Sequence, residues 1–324
     1  MALARTAPKK SATPSGPLLR HRTLWQRVKQ HKFLYLLLTP GLIHLVLFKI
    51  APVSALVIAF QDFSPFLGIT GSPWAGLQNF SQFLQDPNVL RLIRNTVLLA
   101  FGTLLFSFPF PVMFALLLNE VRGKLLRKSV QTASFVPYFI SSAVLVSIMY
   151  TLLSPQDGLV NRVLEAFGGS PIAFFSEPEW FRPLYITMTI WQTFGYTTII
   201  YMAAMTSVDP ALYEAAELDG AGRWKKMRHI TVPSIATMIV VMLILNVGQV
   251  LSVDLDKVLL MYNPSVYETA DVVQTYVYRL AFAPEGFPDY SYAAAVGLVQ
   301  GVIALVMITV ANRASRRFSD SRVF

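Results

Sequence analysis

The sequence predicts an all-α integral membrane protein with six transmembrane helices. Three observations carry that reading. Of 324 residues, 54% are hydrophobic and only 14% are charged, against roughly 25% charged in a soluble domain. Five stretches without a single charge each match the roughly 20 residues a spanning helix needs. The basic residues, finally, gather in alternate loops, as a fixed membrane orientation requires.

Residues 1–32 read as a basic tail with eight Lys or Arg and no acid. The apolar run after it is too long for a signal-peptide core, so the tail is expected to be retained. Its part from Leu18 to Lys32 suits equally a helix lying on an anionic membrane and a solvated basic arm. The membrane domain is expected over 33–312. Its first span, 33–60, holds Pro40, Pro52 and one charge, Lys49, which can snorkel to the interface. The spans 96–118, 131–153, 184–206, 235–253 and 290–312 are free of charge. None shows the polar face that a soluble core helix carries at 3.6-residue spacing. Pro109, Pro111 and Pro137 are expected to kink the second and third spans. Residues 313–324 form a second basic tail.

Six spans put both termini on one side. That side collects 20 of the 27 Lys and Arg but 6 of the 18 acids, leaving net +14 there and −5 opposite. The termini are therefore expected in the cytoplasm. The formal charge of +9 is topological and does not point to nucleic acid. The outer segments 61–95, 154–182 and 254–289 are too long for bare connections. Leu159–Phe167 reads as a short helix ended by Gly168–Gly169, and Val272, Val273, Tyr276, Val277 and Leu280 have helical spacing.

Several chemistries are excluded. There is no Cys, and four scattered His give no metal-ligand spacing, so no metal site is expected. Gly123-Lys124 is followed by Leu125, so no phosphate-binding loop exists. No carboxylate pair or nucleophilic triad falls inside a span, and no catalytic residue is expected.

The loop 207–233 carries the most information. Asp209 is a good N-cap and Pro210 suits the first helical position. Gly220 is placed to end that helix in a left-handed conformation. Arg223–His229 reads as a second short helix, broken by Pro233. Four acids balance four bases, which suits a protein groove better than an anionic lipid surface.

Glu214-Ala215-Ala216, Gly220 after three residues, and Ile230-x-Val232-Pro233 after nine more resemble the signature of permease subunits of binding-protein-dependent ABC importers. Asp219-Gly220-Ala221 and Trp224 are similar to its sugar-importer form. Val232 stands where Leu is usual and Met227 where Phe is frequent, both apolar exchanges. Ala59–Phe63, Gly76–Phe80, Thr275–Arg279 and Ser291–Leu298 are similar to oligosaccharide and polysaccharide importers, alginate importers among them.

The resemblance implies a type I ABC importer permease fold in the bacterial cytoplasmic membrane. It implies a second homologous permease, two ATPase subunits that bind ATP and Mg, an extracytoplasmic solute-binding protein and a carbohydrate solute. It makes Asp209, Glu214, Ala215, Ala216, Asp219, Gly220, Ile230 and Pro233 the ATPase-coupling element.

Polar residues in otherwise apolar spans are candidates for the solute path: Gln192, Tyr196, Asn246, Gln249 and Gln300. Interhelical hydrogen bonding is the competing reading for each. Gln192 and Tyr196 share a helix face; Tyr201 does not sit on it, and Trp191 is a further aromatic candidate. Arg182, Lys257 and Arg279 are cations open to an anionic solute on the outer side. An ion-coupled secondary transporter is the alternative class; it would need charged or broken-helix sites at mid-membrane.

Overall fold

The computed structural model describes residues 32–249, 253–282 and 287–315. The expected tails therefore lie outside the described residues, but for Lys32 and residues 313–315. Regular structure among the described residues is helical, apart from one isolated bridge between Gln61 and Trp74. The chain divides into two compact units at Ala55/Leu56.

The first unit is helix α1, Lys32–Leu45, running on through a π turn at Val46–Ile50 and a short turn Ala51–Ser54. Pro40 sits inside α1. Every residue of this unit's described part up to Ser54 is exposed, and most are apolar, the pattern expected of a lipid-facing helix.

A 3₁₀ stretch, Ala55–Phe60, contains the unit boundary; in the second unit it leads to an outer segment anchored by Asn79. The Asn79 amide donates to the Ala59 and Gln61 carbonyls at 2.9 and 3.1 Å. Helix α2, Gln78–Gln85, precedes α3, Val89–Ser107, and α4, Pro109–Asn119. Then come α5, Lys124–Phe135, α6, Ser142–Leu152, and α7, Leu159–Ala166. The long helix α8, Pro178–Met205, packs against α3, α4 and α5. The loop hairpin is α9, Pro210–Leu218, and α10, Arg223–Lys226. Helices α11, Ala236–Gln249, α12, Leu255–Met261, α13, Tyr267–Ala270, α14, Val273–Phe282, and α15, Tyr290–Ser315, complete the unit.

Among the described residues, three helices are long and apolar enough to cross a membrane: Lys32–Phe60, Val89–Asn119 and Tyr290–Val310. Two bent pairs raise that number to five. Six spans are therefore not reached by length and composition. The missing one, expected at 184–206, is α8. Its 28 residues would cover about 42 Å, but five threonines between 187 and 198 lower its hydropathy. Most of those hydroxyls bond back to the carbonyl four residues earlier, as Thr189 does to Tyr185 and Thr193 to Thr189. Such self-satisfied hydroxyls let a polar-looking helix sit inside a bundle.

The expected third span, 131–153, is broken. Lys124–Phe139 and Ser142–Leu152 meet at 104°. Pro137 removes a backbone donor there, Ile140 is extended, and Ser141 caps α6. The second bend, 60°, lies between Arg223–Ser234 and Ala236–Gln249, next to Pro233 as expected. The second span begins earlier than its uncharged stretch, because α3 starts at Val89 and carries Arg91 and Arg94.

The short outer helix expected at Leu159–Phe167 is α7, and Gly168 follows it at φ +83°. Buried Asn161 ties this segment down, donating to the Leu153, Ser154 and Ile172 carbonyls and accepting from the Ile172 amide.

Candidate functional site

Two places gather the residues that the sequence singles out. The first is a polar cavity of about 360 Å³, within the roughly 300–1,000 Å³ range of small-molecule sites. Helix α8 supplies one wall through Tyr185, Thr189, Gln192, Thr193 and Tyr196, and α11 supplies Asn246 and Gln249. Four of the five predicted path residues thus share one cavity. Gln300 does not join them; it borders a small apolar pocket with Phe83, Thr96 and Val273.

The cavity's polar groups also serve the fold. The Gln192 amide donates to the Ile140 carbonyl at 2.8 Å, satisfying a group freed by the break between α5 and α6. Asn246 donates to the Met242 carbonyl at 2.7 Å. Tyr138 stacks on Tyr196 with centroids 4.2 Å apart, so a flat aromatic pair lies beside the amides. Trp191 instead borders an apolar pocket with Leu145 and Met188, and Tyr201 is fully buried in the core.

A charged pair reaches this cavity. Lys257 and Asp254 both line it. The Lys257 side chain is 1% exposed, and its Nζ lies 3.4 Å from Asp254 Oδ2 and 3.2 Å from Thr189 Oγ1. It also stands over the Tyr185 ring. Burial lowers the Lys257 ammonium pKa, against the opposing pull of the Asp254 carboxylate. The other two outer cations are engaged elsewhere. Arg279 grips buried Asp271 through two bonds of 2.8 and 2.9 Å, and Arg182 donates to Asn95 at 2.9 Å. Only the fold separates Lys257 from them; the sequence marks all three alike. Tyr138 was also hidden in the sequence, because it meets Tyr196 only through the bend at Pro137.

The second place is the hairpin. Asp209 Oδ1 accepts the Ala211 amide at 2.9 Å, capping α9. At its end, Gly220 adopts φ +74°. The Gly220 amide bonds to the Glu217 carbonyl and the Ala221 amide to the Ala216 carbonyl, at 3.0 and 2.8 Å. That paired pattern is a Schellman motif, which needs a left-handed residue at this position. Asp219 is the residue just before it.

Glu217 and Lys226 form an ion pair across the hairpin; the hydrogen bond and positive charge of Lys226 lower the Glu217 carboxyl pKa. Tyr213 and Thr231 hydroxyls meet at 2.9 Å. The hairpin is thus a fixed shape whose outer side is bare. Leu218 is 91% and Trp224 70% exposed, and Glu214 and Ala215 are exposed as well. Ala216 and Ile230 border a groove with Ala221, Lys225, Lys226 and His229. After α10 the chain runs through a π turn, Met227–Thr231, to Pro233 at the bend.

The chain is similar to known proteins over most of its length. Residues 107–323 match the family described as binding-protein-dependent transport system inner membrane component. The chain is 44% identical over 305 residues to the polygalacturonan/rhamnogalacturonan transport system permease protein YteP of Bacillus subtilis (strain 168), covering 94% of each. It is 40% identical over 319 residues to protein LplB of the same organism, covering 98% of this chain and 99% of that one. A crystal structure of a bacterial ABC transporter that imports the acidic polysaccharide alginate is similar, with TM-score 0.84 and 39% identity over 92% of this chain and all of that one. A second structure of a bacterial alginate ABC transporter, in complex with its alginate pentasaccharide-bound periplasmic protein, gives TM-score 0.85 and 39% identity, over 93% of this chain and all of that one.

Proposed function

Because the chain belongs to the binding-protein-dependent transport system inner membrane components, as a permease subunit of a sugar- or polysaccharide-importing ABC transporter, we propose that its solute is an oligosaccharide carrying uronic acids. The observation that carries this reading is the cavity. Stacked Tyr138 and Tyr196 offer an aromatic face, Gln192, Asn246 and Gln249 offer amides, and Lys257 offers a buried cation. Sugar rings suit such a mixture of flat faces and donors, and a carboxylate suits the ammonium. Relatives named for polygalacturonan and for alginate support an acidic solute.

The rest of the assembly is built around that role. This chain performs no chemistry of its own. Two ATPase subunits would bind ATP and Mg, and one of them would seat on the hairpin of α9 and α10. Asp209, Glu214, Ala215, Ala216, Asp219, Gly220, Ile230 and Pro233 would shape or face that contact. Closure of the ATPase pair would move both permeases' hairpins together and turn the cavity outward. A second homologous permease would complete the path, and a solute-binding protein would dock on the outer segments. Both termini would be cytoplasmic. The broken helices would suit an ion-coupled carrier too; family membership sets that alternative aside.

The test is import by proteoliposomes holding the co-purified complex. Uptake of a labelled oligogalacturonate or oligoalginate should require ATP on the hairpin side and the binding protein on the other. Uptake driven by an ion gradient without ATP would overturn the reading. Uptake of neutral oligosaccharides equal to or greater than that of the acidic ones would overturn the choice of solute.

A further inference from the structure

Lys257 is costly where it stands. A buried ammonium loses its hydration and needs full compensation from partners. It receives little. Among the described residues its Nζ meets two hydrogen-bond acceptors, Thr189 Oγ1 at 3.2 Å and Asp254 Oδ2 at 3.4 Å, and beyond them the face of the Tyr185 ring at 5.5 Å. Charge-assisted hydrogen bonds normally close to roughly 2.7–2.9 Å.

Asp254 is divided among other duties. Its Oδ1 accepts the Lys257 amide at 3.2 Å and so caps α12. Its Oδ2 also accepts the Ser142 hydroxyl at 3.1 Å. The Asp254 side chain is 38% exposed where Lys257 is 1% exposed. A cation is thus held in the cavity wall by a loosely fitted carboxylate that has other partners to fall back on. A purely structural ion pair gains nothing from this looseness, and an apolar pair of similar volume is often as stable.

We propose that Lys257 is the specificity-determining contact for the solute's carboxylate, and that Asp254 is its resting counter-ion, displaced as a uronate passes. This rests on the reading that the solute is an acidic oligosaccharide. Thr189 stays beneath the ammonium as a fixed acceptor, its own proton engaged by the Tyr185 carbonyl at 2.8 Å. The incoming carboxylate takes the place of Asp254 Oδ2. Asp254 keeps its cap, which is made by Oδ1, so α12 remains folded during the exchange. The Lys257–Asp254 pair is neutral when the cavity is empty; a bound carboxylate adds one negative charge, which leaves Asp254, the more exposed of the two side chains at 38%, to be screened by solvent.

The experiment compares two ligands on the purified permease–ATPase complex, without the binding protein, by equilibrium dialysis. One is a trigalacturonate; the other is the same trisaccharide with its carboxyls reduced to alcohols. Wild type should bind the acid about tenfold or more tightly, the size of one good charge-assisted contact. Lys257→Gln should remove most of that preference, acid binding falling about tenfold more than neutral binding, and Lys257→Arg should restore part of it. Asp254→Asn, which keeps a good cap, should tighten acid binding severalfold. An unchanged preference in Lys257→Gln overturns the assignment. So does an equal fall for both ligands together with a lowered melting temperature, which marks a structural role. If wild type imports the acid in proteoliposomes and only the preference test fails, the transport reading stands. If wild type neither imports nor binds the acid, the solute reading falls with it.

Discussion

Gly195 of α8 lies against Ser134 of α5 so closely that a Cβ at position 195 would stand 1.9 Å from the Ser134 carbonyl oxygen. Backbone, not a flexible side chain, fills that space, so neither helix can yield locally. Small residues commonly permit such approaches between membrane helices. Gly195→Ala should therefore push α8 from α5, at about 1–3 kcal/mol or more for overpacking. Melting of the purified complex should drop clearly, and the cavity beside Tyr196 should widen. Gly297→Ala, with nothing within 4 Å, should melt like wild type. Equal melting of both variants would mean the contact is not tight.

Gly220 poses a different demand, one of conformation and not of space. Nothing lies within 4 Å of its added Cβ, yet φ is +74°. A side chain there costs about 1–2 kcal/mol, more for a β-branched one. Gly220→Val should insert normally, because membrane helices satisfy their own backbones. It should lose ATPase co-purification and transport. Gly220→Asn should retain much of both, since Asn tolerates this conformation. Glu214→Lys should also weaken ATPase binding, through charge reversal on an exposed face. Wild-type ATPase recovery in Gly220→Val and Glu214→Lys would remove the hairpin from its coupling role.

Asp271 holds the outer helices together. Its buried carboxylate accepts from Arg279, Tyr262 and Thr275, and Arg91 lies 3.5 Å away. Asn95 reaches the Asp271 and Glu268 carbonyls from α3. Removing one partner of a buried pair costs about 3–5 kcal/mol. Asp271→Ala should unfold the α13–α14 segment first, seen as faster hydrogen exchange there than in α8. Uniform exchange across both would argue against a local anchor.

Asp86 supplies a pH dependence. Burial works to raise its carboxyl pKa, but hydrogen bonds from Tyr276, the Asn88 backbone and Tyr292 outweigh it, and the net shift is down from 3.8. The folded state thus favours the ionised acid. Its stabilisation is complete above the unfolded value and is lost as pH falls below about 4 through the folded value. Exchange protection of α14 should decline on acidification in that window. In Asp86→Asn and in Tyr276→Phe the decline should be shallower. An identical acid limb in all three proteins would mean Asp86 does not contribute.

Orientation can be read with reporter fusions. Fusions after residues 125, 220 and 324 should report the cytoplasm, and those near 168 and 285 the outside, from the 20 of 27 basic residues on one side. A cytoplasmic signal at 285 would contradict six crossings.

Features that obey local rules were legible along the chain. Charge-free stretches marked where α3–α4, α11 and α15 would run, because burying a charge in lipid is prohibitive and the chain must avoid it. Asp209, Pro210 and Gly220 announced the start and end of α9, because caps depend on residues a few positions apart. The loop signature pointed to the family for the same local reason. The 104° break inside 131–153 was only partly legible: Pro137 was visible, but the angle depends on Ser141 capping and on Gln192 arriving from α8. Four of the five path residues converged on one cavity, since a shared helix face orders Gln192 and Tyr196 whatever surrounds them. Gln300 diverged, since nothing local says which side of α15 meets which neighbour. The distinction among Arg182, Lys257 and Arg279 came from packing alone. Each is one cation in an outer segment, and its role depends on which acceptor folding brings close enough to pair with it, the Asn95 amide for Arg182, Asp254 for Lys257 and Asp271 for Arg279, a choice set by how the segments pack.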